Sequence, residues 1–171
     1  MLIRTAAPQD LPPIQAIYAY HVLNGLASFE EEAPPLEEIR RRFDEVTGRG
    51  LPYLVAEEKG EILGYGYCAL HRARSAYRYA LEDSIYVKHG QNRKGIGKAL
   101  LGELIQHCEK LGYRQMIAVI GDSANAASIA VHASLGFVRA GNLRSTGYKF
   151  DRWVDSILMQ RPLGEGDGTK P

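Results

Sequence analysis

The chain has 171 residues, 45% hydrophobic and 24% charged, which is the ordinary balance of one globular domain and excludes a disordered, collagenous or disulfide-scaffold chain. Lys plus Arg total 21 against 20 for Asp plus Glu, and a net charge of +1 gives no general attraction to nucleic acid or anionic lipid. The two cysteines, Cys68 and Cys108, lack CxxC or metal-ligand spacing and read as buried free thiols in a reducing compartment. No apolar stretch has the length of a secretory signal or a membrane span, so the expectation is a cytoplasmic protein with neither membrane nor nucleic acid as partner.

In chain order, Met1 to Thr5 reads as a short strand. Asp10 to Leu23 has apolar residues at Leu11, Ile14, Ile17, Tyr18 and Val22, the three-to-four spacing of an amphipathic helix. Leu36 to Val46 repeats that pattern, and its Arg40-Arg41-Arg42 triplet reads as a solvated face opposite Glu37, Glu38, Asp44 and Glu45. Tyr53–Ala56 and Ile62–Cys68 flank a Gly60 turn as a hairpin, and Tyr79–Val87 is a further strand. Gly95 to Leu111 is the clearest helix, with Ile96, Leu100, Leu104, Cys108 and Leu111 on one buried stripe and Gly112 as its stop. Gln115 to Ile120 is nearly all apolar and predicts a strand buried on both faces. A short helix from Asn125 to Leu135 and strands near Phe137–Leu143 and Trp153–Gln160 complete the order β-α-α-β-β-β-α-β-α-β-β. With no repeat or linker, this predicts a single α+β domain over residues 1–163, a mixed central β-sheet flanked by helices. Residues 164–171, rich in glycine, are expected to be a flexible tail.

The segment Lys88-His89-Gly90-Gln91-Asn92-Arg93-Lys94-Gly95-Ile96-Gly97-Lys98 joins a strand to a helix that begins on two glycines. Uncovered main-chain N–H groups and the positive end of the helix dipole meet there. Four cations and no carboxylate between Lys88 and Lys98 point to an anion, specifically a pyrophosphate. A Walker A loop fails because Ile96 follows Gly95 where Lys-Ser/Thr is required. A dinucleotide fingerprint fails because Leu100 stands at its third glycine. What remains is the pattern Gln/Arg-x-x-Gly-x-Gly/Ala. Farther on, Asn125, Ser128, His132 and Gly136-Phe137 keep a second spacing, Asn-x-x-Ala/Ser-x-x-x-Tyr/His-x-x-x-Gly-Phe/Tyr.

Together these two motifs and the element order resemble the GNAT superfamily of N-acetyltransferases. Within it the chain is similar to the phosphinothricin and methionine sulfone/sulfoximine acetyltransferases from Ile3 to about Leu163. The likeness rests on Arg72–Tyr77, Leu81–Val87 and Gly147–Asp155. The resemblance implies acetyl-CoA as co-substrate, with no metal, and a homodimer. It assigns cofactor binding to Ile85, Tyr86, Val87, Arg93, Lys94, Gly95, Ile96, Gly97, Lys98 and Asn125. Glu82 falls at the family's catalytic base, and alternation along the strand turns its neighbour Asp83 to the other face. His132 stands where many members carry a tyrosine acid, which suggests protonation of the leaving thiolate or help to the intermediate. Val87 is expected to offer a main-chain N–H to the thioester oxygen.

The small-molecule amine would meet Arg72 and Arg74, which are suited to clamp a carboxylate or phosphinate, and the walls Tyr77 and Phe29. At Ser28-Phe29-Glu30 the chain departs from the Ile-Trp-Asn of the methionine sulfone branch, and Arg72-Ala73-Arg74 leans to the phosphinothricin branch. An amine of pKa about 8 is roughly one-tenth neutral at pH 7, against about one part in 2,500 for a lysine, so one carboxylate suits an amino-acid-like acceptor. Two rival readings stand beside this one: an acetyltransferase for protein N-termini or polyamines, and a non-catalytic acyl-CoA-binding module.

Overall fold

The protein is described here by a computed structural model covering residues 1–91 and 94–171. Its elements follow the predicted order: β1 (Leu2–Thr5), α1 (Leu11–Asn24), α2 (Leu36–Gly48), β2 (Tyr53–Glu58), β3 (Glu61–Leu70), β4 (Ala80–Val87), α3 (Ile96–Lys110), β5 (Gln115–Gly121), α4 (Ala126–Ser134), β6 (Val138–Lys149) and β7 (Arg152–Pro162). Short 3-10 turns at Pro8–Asp10 and Ser75–Tyr77 precede α1 and β4. One seven-stranded sheet runs β1-β2-β3-β4-β5-β7-β6. Its pairs are antiparallel except β4 with β5, which are parallel. The fold is α+β with a mixed central sheet.

The sequence Gly64-Tyr65-Gly66-Tyr67-Cys68 in β3 shows how the two faces differ, because alternate residues face opposite sides. A Cβ at Gly64 would lie 3.1 Å from Ile96 and one at Gly66 3.1 Å from Leu104, so these glycines let α3 seat close against the sheet. Tyr65 and Tyr67 turn the other way and stack with Tyr53 at 5.9 and 4.9 Å. Tyr86 of β4 stacks on Tyr65 at 5.3 Å and meets the Tyr18 ring of α1 edge-on at 5.0 Å. Burial holds the Tyr65 and Tyr86 hydroxyls well above the ordinary tyrosine range, so this layer stays neutral.

Four expectations are corrected. β5 is not buried on both faces: Val119 is 46% exposed, because the neighbouring strand leaves it half-way along. The last hairpin is longer than expected, and most of β6 is exposed. Leu111, expected on the buried stripe of α3, is its exposed C-cap. The arginine triplet is not uniformly solvated, since Arg42 turns inward to Glu30 (2.6 Å) and over the Tyr18 ring. Residues 164–171 form turns against Leu163, and Arg114 donates to Thr169 Oγ1 (3.1 Å) and the Lys170 carbonyl (3.2 Å).

Candidate active site

β4 and β5 pair only from Ala80–Gln115 to Asp83–Ala118. Beyond that point β4 stays with β3 as far as Val87–Gly64, while β5 stays with β7 as far as Gly121–Ser156. The strands part like the arms of a V. A cleft of about 890 Å³ opens between them, floored by α3 and α4.

The main chain of β4 faces this gap. Lys88 N–H donates to the Leu63 carbonyl at 2.8 Å, which makes Gly64–Val87 a non-hydrogen-bonded pair of the antiparallel ladder. The peptide groups of Val87, and by the period of two those of Ile85, therefore point away from β3 and into the cleft. The Val87 carbonyl accepts from His21 Nε2 at 2.8 Å, leaving the N–H edge for a ligand. Gly95 caps α3 with φ +77, a left-handed conformation that favours glycine. The first-turn amides of α3 have no partners inside the helix, and Gly95, Ile96, Gly97 and Lys98 all line the cleft. An extended ligand with amides along its length and a diphosphate at one end fits these donors.

The predicted cofactor residues do not all converge. Ile85, Tyr86, Val87, Gly95, Ile96, Gly97, Lys98 and Asn125 line the cleft. Lys94 is exposed and donates to Gln91 Oε1 at 2.7 Å, outside the lining. Arg93 lies outside the described residues. Asn125 also caps α4, its side chain accepting from Ser128 N–H at 3.1 Å, so its amide nitrogen is the part left for a ligand. Lys88, one of the four clustered cations, pairs with Glu61 across the hairpin.

Glu82 and Asp83 sit on opposite faces of β4. Glu82 shares the tyrosine face with Ser84 and Tyr86 and meets His71 Nδ1 at 2.6 Å through Oε1. Asp83 faces α3 and α4, lines the cleft and meets His132 Nε2 at 3.0 Å. The His132 Nδ1 lies 2.7 Å from the Ser128 carbonyl. Both ring nitrogens thus face acceptors, and only the doubly protonated ring satisfies both. Burial works against that charge, but the Asp83 hydrogen bond and charge with the Ser128 carbonyl outweigh it and raise the His132 pKa above its ordinary value. Asp83 Oδ1 is buried without a partner among the described residues, at the point where the strands part. His132 lines the cleft beside Asp83, with both its nitrogens engaged.

The expected substrate residues occupy two places. Arg72, Arg74 and Tyr77 lie on the exposed β3–β4 connection, and among the described residues neither arginine forms an ion pair. Phe29 lies on the α1–α2 connection, over β6: a Cβ at Gly147 would approach its ring to 2.5 Å. The same connection is tied down by buried Lys149, whose Nζ donates to the Gly25 and Ser28 carbonyls at 3.0 and 2.7 Å. Ser28 and Glu30 serve structure, both bonding the Tyr18 hydroxyl. Residues missed from sequence were Lys149, His21 and His71. Lys149 carried a signal, as the one lysine between two aromatic residues in Tyr148-Lys149-Phe150; the two histidines carried none. A separate cavity of about 310 Å³, lined by Arg49, Arg78, Tyr79 and Tyr113, lies at the opposite ends of β4 and β5.

A splayed parallel strand pair leading to a glycine-capped helix defines an acyltransferase of the coenzyme A-binding type. The chain belongs to the GNAT acetyltransferase family, whose domain model, acetyltransferase (GNAT) domain, matches residues 3–158. It is 53% identical over 169 residues to the phosphinothricin N-acetyltransferase of Alcaligenes faecalis, covering 99% of this chain and 86% of that one. To the L-methionine sulfoximine/L-methionine sulfone acetyltransferase of Pseudomonas paraeruginosa it is 40% identical over 162 residues, 94% of each chain. The solved phosphinothricin acetyltransferase from Sinorhizobium meliloti, in complex with AcCoA, superposes with a TM-score of 0.96 at 50% identity, covering 99% of this chain and 92% of that one.

Proposed function

We propose that the protein transfers the acetyl group of acetyl-CoA to the amine of a small amino-acid-like acceptor of the phosphinothricin kind. The observation that carries this reading is the cleft: N–H edges of Ile85 and Val87 on one arm, leading to the amides of Gly97 and Lys98. It is supported by the substrates for which the relatives are named.

Acetyl-CoA, when bound, supplies the thioester. The amides of α3 and Lys98 hold its diphosphate, and the β4 amides and Asn125 hold its pantetheine. Val87 N–H donates to the thioester oxygen as negative charge builds there. Glu82, on the other face, removes the amine proton directly or through water, a contribution of about 10²–10⁴ in rate. The amine nitrogen attacks the carbonyl carbon, the carbon–sulfur bond breaks, and its electron pair leaves on sulfur. The His132–Asp83 pair is the proton source for that thiolate. Arg72 and Arg74 bind the acceptor's acidic group, and Tyr77 and Phe29 wall it.

The homodimer belongs to this proposal. Leu143, Tyr148, Phe150 and Trp153 of the last hairpin are all exposed, Trp153 by 67%, an apolar surface suited to a second copy. Light scattering after size exclusion should give twice the chain mass. A cytoplasmic location suits its two buried free thiols. No helix among the described residues is long and apolar enough to cross a membrane. Thiol release from acetyl-CoA, followed with phosphinothricin, methionine sulfoximine, amino acids, an N-terminal peptide and spermidine, tests the reaction. Turnover with the amino-acid analogues is expected. Turnover confined to the peptide or the polyamine, or tight acetyl-CoA binding with no turnover, overturns the proposal.

A further inference from the structure

Glu82 is not held by its own strand. Its side chain is 36% exposed, and the residues beside it on the flanking strands, Ala69 and Ile117, offer no hydrogen bond. His71 supplies one. That ring is 18% exposed, and its backbone N–H donates to the Ala80 carbonyl at 3.1 Å, which fixes the residue at the end of β3. Tyr77 meets the ring edge-on at 5.7 Å. His71 Nδ1 lies 2.6 Å from Glu82 Oε1, and Oε1 is the only Glu82 oxygen engaged among the described residues.

We infer that His71 is a positioning residue for Glu82, resting on the reading of Glu82 as base: its Nδ1–H holds Oε1 and so presents Oε2 to the acceptor amine. A glutamate on a half-exposed strand position otherwise samples several rotamers, and only some place an oxygen at the amine. His71 does not line the coenzyme cleft, so its loss acts on kcat rather than on acetyl-CoA binding. The displaced base misplaces the proton transfer, and misplacement by about 1 Å costs up to about 10²-fold.

The test compares His71→Phe, His71→Asn and Glu82→Gln with wild type, using the best acceptor from the thiol-release panel and folding checked by circular dichroism. Asparagine keeps an N–H close to the place of Nδ1; phenylalanine keeps the ring shape without a donor. His71→Phe is expected to lower kcat by about 10- to 100-fold with the acetyl-CoA KM unchanged, and His71→Asn to recover most of that loss. Should Glu82→Gln turn over like wild type, the assignment of the base itself fails. Should Glu82→Gln be inactive while His71→Phe keeps wild-type kcat, the base stands and the positioning role is overturned. A loss in His71→Phe that His71→Asn does not recover, or that raises the acetyl-CoA KM in proportion, also overturns it.

Discussion

Replacing Asp83 by asparagine isolates the charge of the buried pair, because the side chain keeps its shape. Asp83 and His132 are 2% and 6% exposed at 3.0 Å separation. Removing one partner of such a pair costs about 3–5 kcal/mol if the survivor stays charged. His132 has a way out: it sheds a proton, Nδ1 goes on donating to the Ser128 carbonyl, and Nε2 accepts from the new amide. Near neutral pH the expected loss is therefore smaller, about 1–3 kcal/mol, since a hydrogen bond survives. For a chain of this length that lowers Tm by about 2–12 °C. The pH dependence has a definite sign. His132 has a folded pKa above its ordinary value of 6.5, so the pair's contribution is complete below pH about 6.5 and is lost as pH rises through the folded value. The stability gap between wild type and Asp83→Asn should be widest near pH 6 and narrow as pH rises through the folded His132 pKa. Imidazole NMR titration should place the His132 pKa above 6.5 in wild type and lower in the variant, where only the Ser128 carbonyl still opposes burial. A His132 pKa unchanged by the substitution, or a gap that widens with pH, would refute the ion-pair reasoning.

Three further outcomes follow from the same geometry. Gly147→Ala puts a methyl group 2.5 Å from the Phe29 ring, so the α1–α2 connection must shift; the acceptor KM should rise several-fold while acetyl-CoA binding by calorimetry holds. Lys149→Met leaves the Gly25 and Ser28 carbonyls without their donor, and should cost about 2–4 kcal/mol in a urea melt with faster hydrogen exchange in residues 25–30. Gly95→Ala, at φ +77, should destabilise the start of α3 by about 1–2 kcal/mol and weaken acetyl-CoA binding measured by calorimetry.

Much of this molecule was legible in its sequence because the signals were local. The glycine-led start of α3 and its 3.6-residue stripe as far as Cys108 declare themselves within a few residues, and both appear where expected. What was illegible depends on distant neighbours. Val119 is apolar like the rest of β5, yet it is exposed because β4 departs after Asp83. Arg42 reads as a surface charge until Glu30, twelve residues earlier, is seen to meet it. Lys149 bonds carbonyls 124 and 121 residues away. The His71 and His132 rings gain their partners from β4, whose alternation turns Glu82 to the His71 side and Asp83 to α4, a pairing of residues 11 and 49 apart that no local signal carries.

In the proposed reaction the opening between β4 and β5 is the seat of the coenzyme. Titrating ¹⁵N-labelled protein with acetyl-CoA tests that directly, amide by amide. The largest shifts should fall on Ile85, Val87, Gly97, Lys98 and Asn125, and saturate together. Shifts centred instead on Arg78, Tyr79 and Tyr113 at the far cavity, or no saturable shifts, would contradict it.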